Sequence, residues 1–161
     1  MYDNASLLVD GRKAFAYIEV DLEHDRDWLF ETDSDDVGGP HAAWGDLDFS
    51  GPMELAKLAR DDIRIRAKTY DDGKDILIGK AVVPGIKFTE NCNRIVEVVG
   101  TLSNKEGDAE CGKFSLRGRF REELFGDSGY LDVNTIDISH SNDICKLSLF
   151  ITIPYYCIIL H

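Results

Sequence analysis

The amino-acid sequence predicts an all-β protein built as an antiparallel β-sandwich. Along most of the chain apolar residues alternate with polar ones, which is the period of a strand with one buried face. Turn-forming pairs such as Asp72-Gly73 and Pro84-Gly85 separate the alternating segments. Only one short stretch, residues 53–59, has helical character. Several short strands separated by such turns are typical of a sandwich or a barrel.

The predicted strands follow from this pattern in chain order. They cover residues 15–20, 63–68, 76–83, 94–100 and 113–120. In the second of them Ile63, Ile65 and Ala67 alternate with cations. The apolar and the charged side chains of this strand should therefore lie on opposite faces of the sheet.

Composition restricts the classes of function. A chain of 161 residues with 43% apolar residues is the size of one domain with a substantial core. The formal net charge of −12 argues against nucleic acid as a partner, because phosphate binding needs a basic surface. The same charge weakens any attraction to anionic lipid. Residues 21–36 carry eight acidic residues and one arginine, and such a run predicts a solvated acidic loop.

The cysteines and histidines form no recognisable metal or redox motif. The four cysteines, none in CxxC spacing, are Cys92, Cys111, Cys145 and Cys157. No phosphate-binding loop or nucleophile–base pair stands out, so the sequence does not predict an enzyme. No signal-peptide pattern opens the chain, and we expect reduced thiols and a cytoplasmic location, with peripheral membrane attachment as an alternative.

The C-terminal part differs in character from the rest. We expect a sandwich over residues 1–125 and a tail over residues 126–161. Residues 147–160 are uncharged and mostly apolar, but as a helix they would span only about 21 Å, less than the roughly 30 Å of a bilayer core. Pro154 and the β-branched content favour a strand that packs on the sandwich. A membrane tail, a disordered tail and a tail that is not native coding sequence are the alternatives.

Several segments match, in the same order, the strands and loops of one known family. They are residues 5–8, 17–20, 44–49, 63–71, 78–81 and 112–120. The ordered set resembles the C2 domain, the calcium- and lipid-binding β-sandwich family, over roughly residues 4–121. The resemblance implies a C2-like sandwich with Greek-key connections, in which residues 17–20 correspond to the tyrosine-led second strand and residues 112–120 to the closing strand.

The match begins where the first strand of the family should end. The resemblance therefore implies that this strand is missing or is supplied from elsewhere. Residues 131–138 or residues 147–153 could fill the gap from the other end of the chain, because both segments are apolar enough for a strand. A fragment of a longer protein would give the same pattern.

In the C2 family, aspartates of the first and third loops bind calcium. The resemblance places Phe15 and Gly73 at two ligand positions that these residues cannot serve. The remaining candidate ligands are Asp10, Asp71, Asp72 and Asp75. Three or four carboxylates could hold one calcium ion weakly, toward the millimolar range. The alternative, which we favour, is that Asp71-Asp72-Gly73 is a tight hairpin turn.

Two groups of cations alternate along predicted strands. Their members are Arg64, Arg66, Lys68, Arg117, Arg119 and Arg121. If the two strands are neighbours, these side chains could form a basic patch of the kind that holds phosphoinositide head groups in C2-like domains. The alternative, which we favour, is a solvated sheet face balanced by the surplus of acidic residues. The cations could equally pair with the acidic residues 21–36 of the same molecule or of a partner molecule.

The sequence therefore predicts a non-catalytic C2-like binding module that acts through protein–protein contacts, largely without calcium. The alternative is a peripheral membrane module that binds phospholipid with or without calcium. No cofactor other than weakly bound calcium is expected, and the protein partner is not specified by the sequence.

Overall fold

The computed structural model of the chain describes residues 8–9, 12–13, 15–36, 41–45, 47–71, 73–123 and 128–140. The strands are β1 (Leu8–Val9), β2 (Arg12–Lys13), β3 (Ala16–Leu22), β4 (Asp25–Glu31), β5 (His41–Trp44), β6 (Phe49–Glu54), β7 (Asp62–Asp71), β8 (Lys74–Pro84), β9 (Val96–Ser103), β10 (Glu110–Glu122) and β11 (Ser128–His140). The helices are α1 (Leu55–Arg60) and α2 (Ile86–Thr89). The prediction of an all-β fold is confirmed.

One antiparallel sheet contains all of these strands except β1 and β2, which pair with each other. The order across the sheet is β4-β3-β7-β8-β9-β10-β11-β5, and β6 also pairs with β11. The strands β6 and β5 thus lie one after the other along the same side of β11. A sheet of this size curls, and here it forms a half-barrel that encloses the core.

The sheet consists of two well-paired halves joined by a narrow junction. The strands β8 and β9 share a single pair, Lys80 with Ser103. On either side of this junction the pairing is extensive, and β7–β8 and β10–β11 are the longest ladders. The concave arrangement brings alternate side chains of both halves together in one core, with Ile18, Ile65 and Phe120 fully buried.

The predicted strands are confirmed within a few residues at each end. The main difference at a boundary is Arg94, which lies in a turn before β9 rather than in the strand. Its neighbour Asn93 has a φ of 64°, which a strand does not allow. The helical prediction for residues 53–59 corresponds to α1, which starts two residues later at Leu55.

The expectation of a solvated acidic loop over residues 21–36 is wrong for its first part. Asp21 is 6% exposed within β3, and residues 25–31 form β4 at the edge of the sheet. A backbone ladder with β3 pairs one side of β4, and ion pairs with Arg64 and Arg66 hold the Asp21 carboxylate.

Residues 128–140, which lie in the predicted tail, form β11 in the interior of the sheet. This strand pairs with β10 on one side and with β5 and β6 on the other. Leu131, Val133, Ile136 and Ile138 are buried in the core. The prediction of a strand over residues 147–153 lies outside the described residues. Within the described residues, no helix combines the length and the apolar character needed to cross a membrane.

Candidate functional site

The β7–β8 hairpin carries the third-loop candidates for calcium. Asp71, the last residue of β7, pairs with Lys74, and Gly73 between them has a φ of 78°. This left-handed conformation is what the tight-hairpin interpretation requires, and glycine adopts it without strain. The side chain of Asp71 and the whole of Asp10 and Asp72 lie outside the described part of the structure.

Asp75, the remaining candidate ligand, is engaged with a tyrosine. Its Oδ1 accepts a hydrogen bond of 2.7 Å from the hydroxyl of Tyr17, whose ring is buried. Burial and this hydrogen bond raise the pKa of Tyr17 above its ordinary value. A cation bound at Asp75 would compete with the tyrosine for the same carboxylate.

Two aromatic side chains are exposed at this end of the sheet. Phe15 is 45% exposed and Tyr70 is 66% exposed. The neighbouring residues Ala16 and Thr69 pair across β3 and β7, and the Thr69 hydroxyl donates a hydrogen bond to the Phe15 carbonyl. Both rings therefore lie beside the β7–β8 hairpin.

The first group of predicted lipid-binding cations lies in a ladder of ion pairs across β3 and β7. We call this the β3–β7 ladder, and its members are Glu19, Asp21, Arg64, Arg66 and Lys68. Asp21 accepts hydrogen bonds from Arg64 at 2.7 and 3.0 Å and from Arg66 at 2.8 Å. Glu19 accepts from Arg66 at 3.0 Å and from Lys68 at 2.8 Å.

The acids of this ladder are almost completely covered. The side chains of Asp21 and Glu19 are 8% and 13% exposed, whereas those of the three cations are 20–35% exposed. Charge-assisted hydrogen bonds of this kind are short and directional, and they fix the arginine side chains against the sheet. The ladder therefore pairs each of its three cations with one of two carboxylates of the same molecule.

The second group of cations surrounds one carboxylate, which we call the Asp132 cluster. Asp132 of β11 accepts hydrogen bonds from Arg121 at 2.6 and 3.1 Å, from Arg119 at 3.3 Å and from the Ser50 hydroxyl at 2.8 Å. The guanidinium carbon of Arg121 also lies 5.3 Å from the centre of the Tyr130 ring, which is within cation–π range. The cluster joins β6, β11 and β10.

The two groups do not adjoin in the sheet. The strands β7 and β10 are separated by β8 and β9, so the condition for a six-cation patch is not met. Arg117 differs from the others because it is exposed and makes no ion pair with the described residues. The alternative, that acidic residues of the same molecule pair with the cations, holds for Asp21.

A concave surface lies on the solvent side of β9, β10, β11 and β5. We call it the outer hollow, and its volume is about 580 Å³. Two cross-strand rows form it: Val99–Ser115–Asp137–Ala43 and Thr101–Lys113–Ser139–His41. Val99 is 72% exposed, and the small side chains beside it leave the space open. The volume is within the roughly 300–1,000 Å³ range of ligand pockets.

A buried carboxylate lies at the opposite end of the sheet from the hairpin. The Asp61 side chain is fully buried directly after α1, and it is bound by Arg60 at 2.7 Å and by the His24 Nδ1 at 3.2 Å. The hydrogen bond from Arg60 is the main reason that the pKa of Asp61 lies below its ordinary value, because it outweighs the opposing effect of burial.

The pKa of Asp132 is also lowered. Burial, the largest single effect, would raise it, but the hydrogen bonds from Arg121, Ser50 and Arg119 and the charge of Arg121 together outweigh burial. When the pKa of a carboxyl group is lower in the folded chain than in the unfolded chain, the ionised group stabilises the folded state. This stabilisation is fully present above the pKa of the unfolded chain, about 3.9, and is lost as the pH falls through the pKa of the folded chain.

We therefore expect the free energy of unfolding to fall steeply below about pH 4, and to fall less steeply in Asp132→Asn. Urea unfolding at several pH values from about pH 6 downward measures this slope. Asp137→Asn, which removes an exposed carboxylate from the same strand, is the matched control. An acid slope that is equal in Asp132→Asn and in the unaltered chain would contradict the assigned role of the Asp132 hydrogen bonds.

Among the described residues, no three histidine, cysteine, aspartate or glutamate side chains are grouped so that they could hold a metal ion. Comparison of the chain with protein-family models, with curated proteins and with solved structures gave no match.

Two features of the site were missed by reasoning from the sequence. Asp132 was not recognised as the centre of a cluster, because the pairing register of β10 with β11 and the position of the distant Ser50 are not visible in the sequence. The outer hollow was also missed, although small residues such as Ala43 and Ser115 at alternate positions were a usable signal. Both features depend on which strands are neighbours.

Proposed function

We propose that the chain is a non-catalytic C2-like binding module that acts through protein–protein contacts and does not depend on calcium. The observation that carries this proposal is that five of the six predicted lipid-binding cations are committed to internal ion pairs. They are Arg64, Arg66, Lys68, Arg119 and Arg121. A head-group site would require these cations to face an anionic ligand.

The all-β, antiparallel architecture supports the C2-like part of the proposal. The strand β10 contains residues 112–120, which resemble the closing strand of the family, and β11 lies directly beside it. We infer that β11, which lies C-terminal to the matched residues, takes the place of the first strand of the family, which the matched residues lack. The all-antiparallel pairing of the large sheet agrees with this assignment.

The charge balance supports a protein partner over a membrane. Five cations are held in ion pairs in the β3–β7 ladder and the Asp132 cluster, and the chain as a whole carries a formal net charge of −12. An anionic lipid surface repels such a molecule, whereas a partner with a basic surface is attracted to it. The complex with such a partner should weaken as the salt concentration rises.

Sedimentation with vesicles of phosphatidylcholine and phosphatidylserine, with and without calcium, tests this proposal. We expect the unaltered chain to remain in the supernatant under both conditions. Asp132→Asn should pellet more than Asp137→Asn, because only the first substitution releases Arg119 and Arg121. Both variants change the net charge equally, and the gain should be roughly fivefold for each released arginine.

Pelleting of the unaltered chain in either condition would overturn the proposed function in favour of peripheral membrane targeting. Equal sedimentation of the two variants would show that internal neutralisation of the arginines is not what keeps the chain off the membrane.

One observation favours the membrane alternative, and it is the exposure of Phe15 and Tyr70 beside the β7–β8 hairpin. Aromatic side chains at a loop end can insert into the interfacial region of a bilayer. If the chain pellets with vesicles, Phe15→Ala and Tyr70→Ala should each reduce the pelleted fraction. Val82→Ala, at a residue that is 56% exposed on β8 away from the hairpin, is the control.

A further inference from the structure

The edge of β9 that faces β8 is open among the described residues. On its other side β9 pairs with β10 from Val96 to Ser103, whereas β8 reaches β9 only through the pair of Lys80 and Ser103. Alternate residues of an antiparallel strand direct their N–H and C=O groups to opposite edges. Every second residue of the stretch 96–102 therefore directs these groups away from β10, to a side where no strand of the described chain pairs with them.

Of the two strands at the junction, β9 is the better template for another strand. Its open stretch, residues 96–102, contains no proline and is as long as an average strand of about five or six residues. Beyond the junction β8 offers only residues 81–84, and the last of them, Pro84, has no N–H to donate. An unpaired edge as long as that of β9 readily pairs with another extended chain.

The side chains on the outer face of β9 suit such a partner. Val99 is 72% exposed, more than any other large apolar side chain of the described residues, and Ile95, directly before the strand, is 54% exposed. Glu97 lies two residues from each of them and is also exposed. Its Oε1 accepts a hydrogen bond of 3.2 Å from the Ser115 hydroxyl. The exposed positions therefore carry a carboxylate between two β-branched apolar side chains.

The charges favour a basic partner over a second copy of the chain. Pairing of β9 with β9 of another molecule would bring together two chains that each carry a formal net charge of −12. An incoming strand with a lysine or arginine opposite Glu97 would instead form a cross-strand pair of opposite charge. β-Branched residues on either side of that cation would cover Val99 and Ile95.

We propose that a protein partner adds a strand to the open edge of β9, through an extended segment in which a basic residue lies between two β-branched apolar residues at alternate positions. The inference rests on the proposed function and names the contact through which the partner binds. Backbone hydrogen bonds to residues 96–102 supply the affinity, and the side chains opposite Glu97 and Val99 supply the specificity.

A synthetic peptide added to the full chain tests this contact. The probe has seven residues and blocked ends, with valine at the second and sixth positions, lysine at the fourth and threonine elsewhere. We expect it to shift the backbone amide NMR signals of β9 and to slow hydrogen exchange at alternate residues of the stretch 96–102. The same peptide with glutamate in place of lysine should bind roughly two- to fivefold more weakly, because its charge repels that of Glu97.

Two N-methylated peptides test the backbone pairing. In one of them the amides of the even-numbered residues are methylated, and in the other those of the odd-numbered residues. A strand that pairs through one edge uses only one of these sets, so one peptide should lose more than about tenfold in affinity and the other should bind like the unmodified probe. Equal affinity of the two peptides, no binding of the unmodified probe, or signal shifts on another strand such as β4 would overturn the proposal.

A charge reversal in the chain tests the side-chain contact. Glu97→Lys should bind the glutamate peptide more tightly than the lysine peptide. Asp137→Lys, an equal change in net charge at an exposed residue of β11, should still prefer the lysine peptide. The same preference in both variants would mean that only the net charge matters, and would overturn the proposal.

Hydrogen exchange of the chain alone is the last control. If all amides of residues 96–102 already exchange slowly without peptide, another part of the chain or a second copy covers the edge, and the proposal is overturned. Failure of the peptide to bind, while the chain stays off vesicles, would overturn this inference alone. Pelleting with vesicles would overturn the proposed function whatever the peptides do.

Discussion

Phe120→Ala is expected to lower the free energy of unfolding by about 3–5 kcal/mol. Phe120 is completely buried in β10, the strand that lies between β9 and β11. Its ring lies so close to Gly129 that the Cζ atom would be 2.7 Å from a Cβ at that position. Removing the ring leaves a cavity where the two longest strands of the sheet pack, and urea unfolding followed by tryptophan fluorescence measures the loss.

Phe15→Ala is the matched control for this experiment. It removes the same ring from a position that is 45% exposed, and we expect it to cost much less. A loss of less than about 1 kcal/mol for Phe120→Ala would contradict the packing of β10 against β11.

Gly85→Ala is expected to be the second strongly destabilising change, by about 1–3 kcal/mol or more. Gly85 lies between β8 and α2, and its amide donates a hydrogen bond to the Asp61 carbonyl at 3.2 Å. A Cβ at this position would lie 2.1 Å from the Leu58 carbonyl oxygen and 2.7 Å from that of Asp61. Because both contacts are with backbone atoms, α1 and α2 must move apart to make room.

Gly45→Ala is the control for the effect of the added methyl group itself. A Cβ at Gly45 meets no atom within 4 Å, so this substitution should be neutral or stabilise the fold by up to about 1 kcal/mol through the unfolded chain. Thermal unfolding should therefore give a lower melting temperature for Gly85→Ala than for Gly45→Ala. Equal melting temperatures would mean that α1 and α2 do not approach each other as closely as the structure indicates.

The strands that could be predicted from the sequence are those with an uninterrupted period of two. In β7 the alternate residues Ile63, Ile65 and Ala67 are all buried, and the cations between them face away from the core, as the pattern predicts. Where burial on one face decides the structure, the sequence alone is sufficient.

The period of two did not single out β4 or β11, for different physical reasons. The acidic composition of β4 opposes a strand, but pairing with β3 outweighs this weak preference. In β11 the buried residues Leu131 and Val133 are followed by Ile136 and Ile138, so the period slips by one residue. A bulge in the pairing with β10, between Arg117 and Gly118, produces this slip.

In the candidate site, too, the sequence predicts the face on which a side chain lies but not the strand beside it. The period of two indicated that Arg64, Arg66 and Lys68 share one face, but it could not show which strand lies beside them. That strand is β3, which brings Glu19 and Asp21 into range, rather than β10. Neighbour relations across a sheet depend on topology, and this is why the sequence could state the basic patch only on the condition that the two strands adjoin.

The interior position of β11 has a consequence for the order in which the molecule is made. Among the described strands, β5 and β6 pair with β11 alone, although they precede it by more than 70 residues along the chain. During translation these two strands and the outer edge of β10 have no partner until the ribosome has released residues 128–140. The pairing of β5, β6 and β10 with β11 can therefore form only after nearly all the described chain has been synthesised. Until then the unpaired edges of these strands are exposed to aggregation.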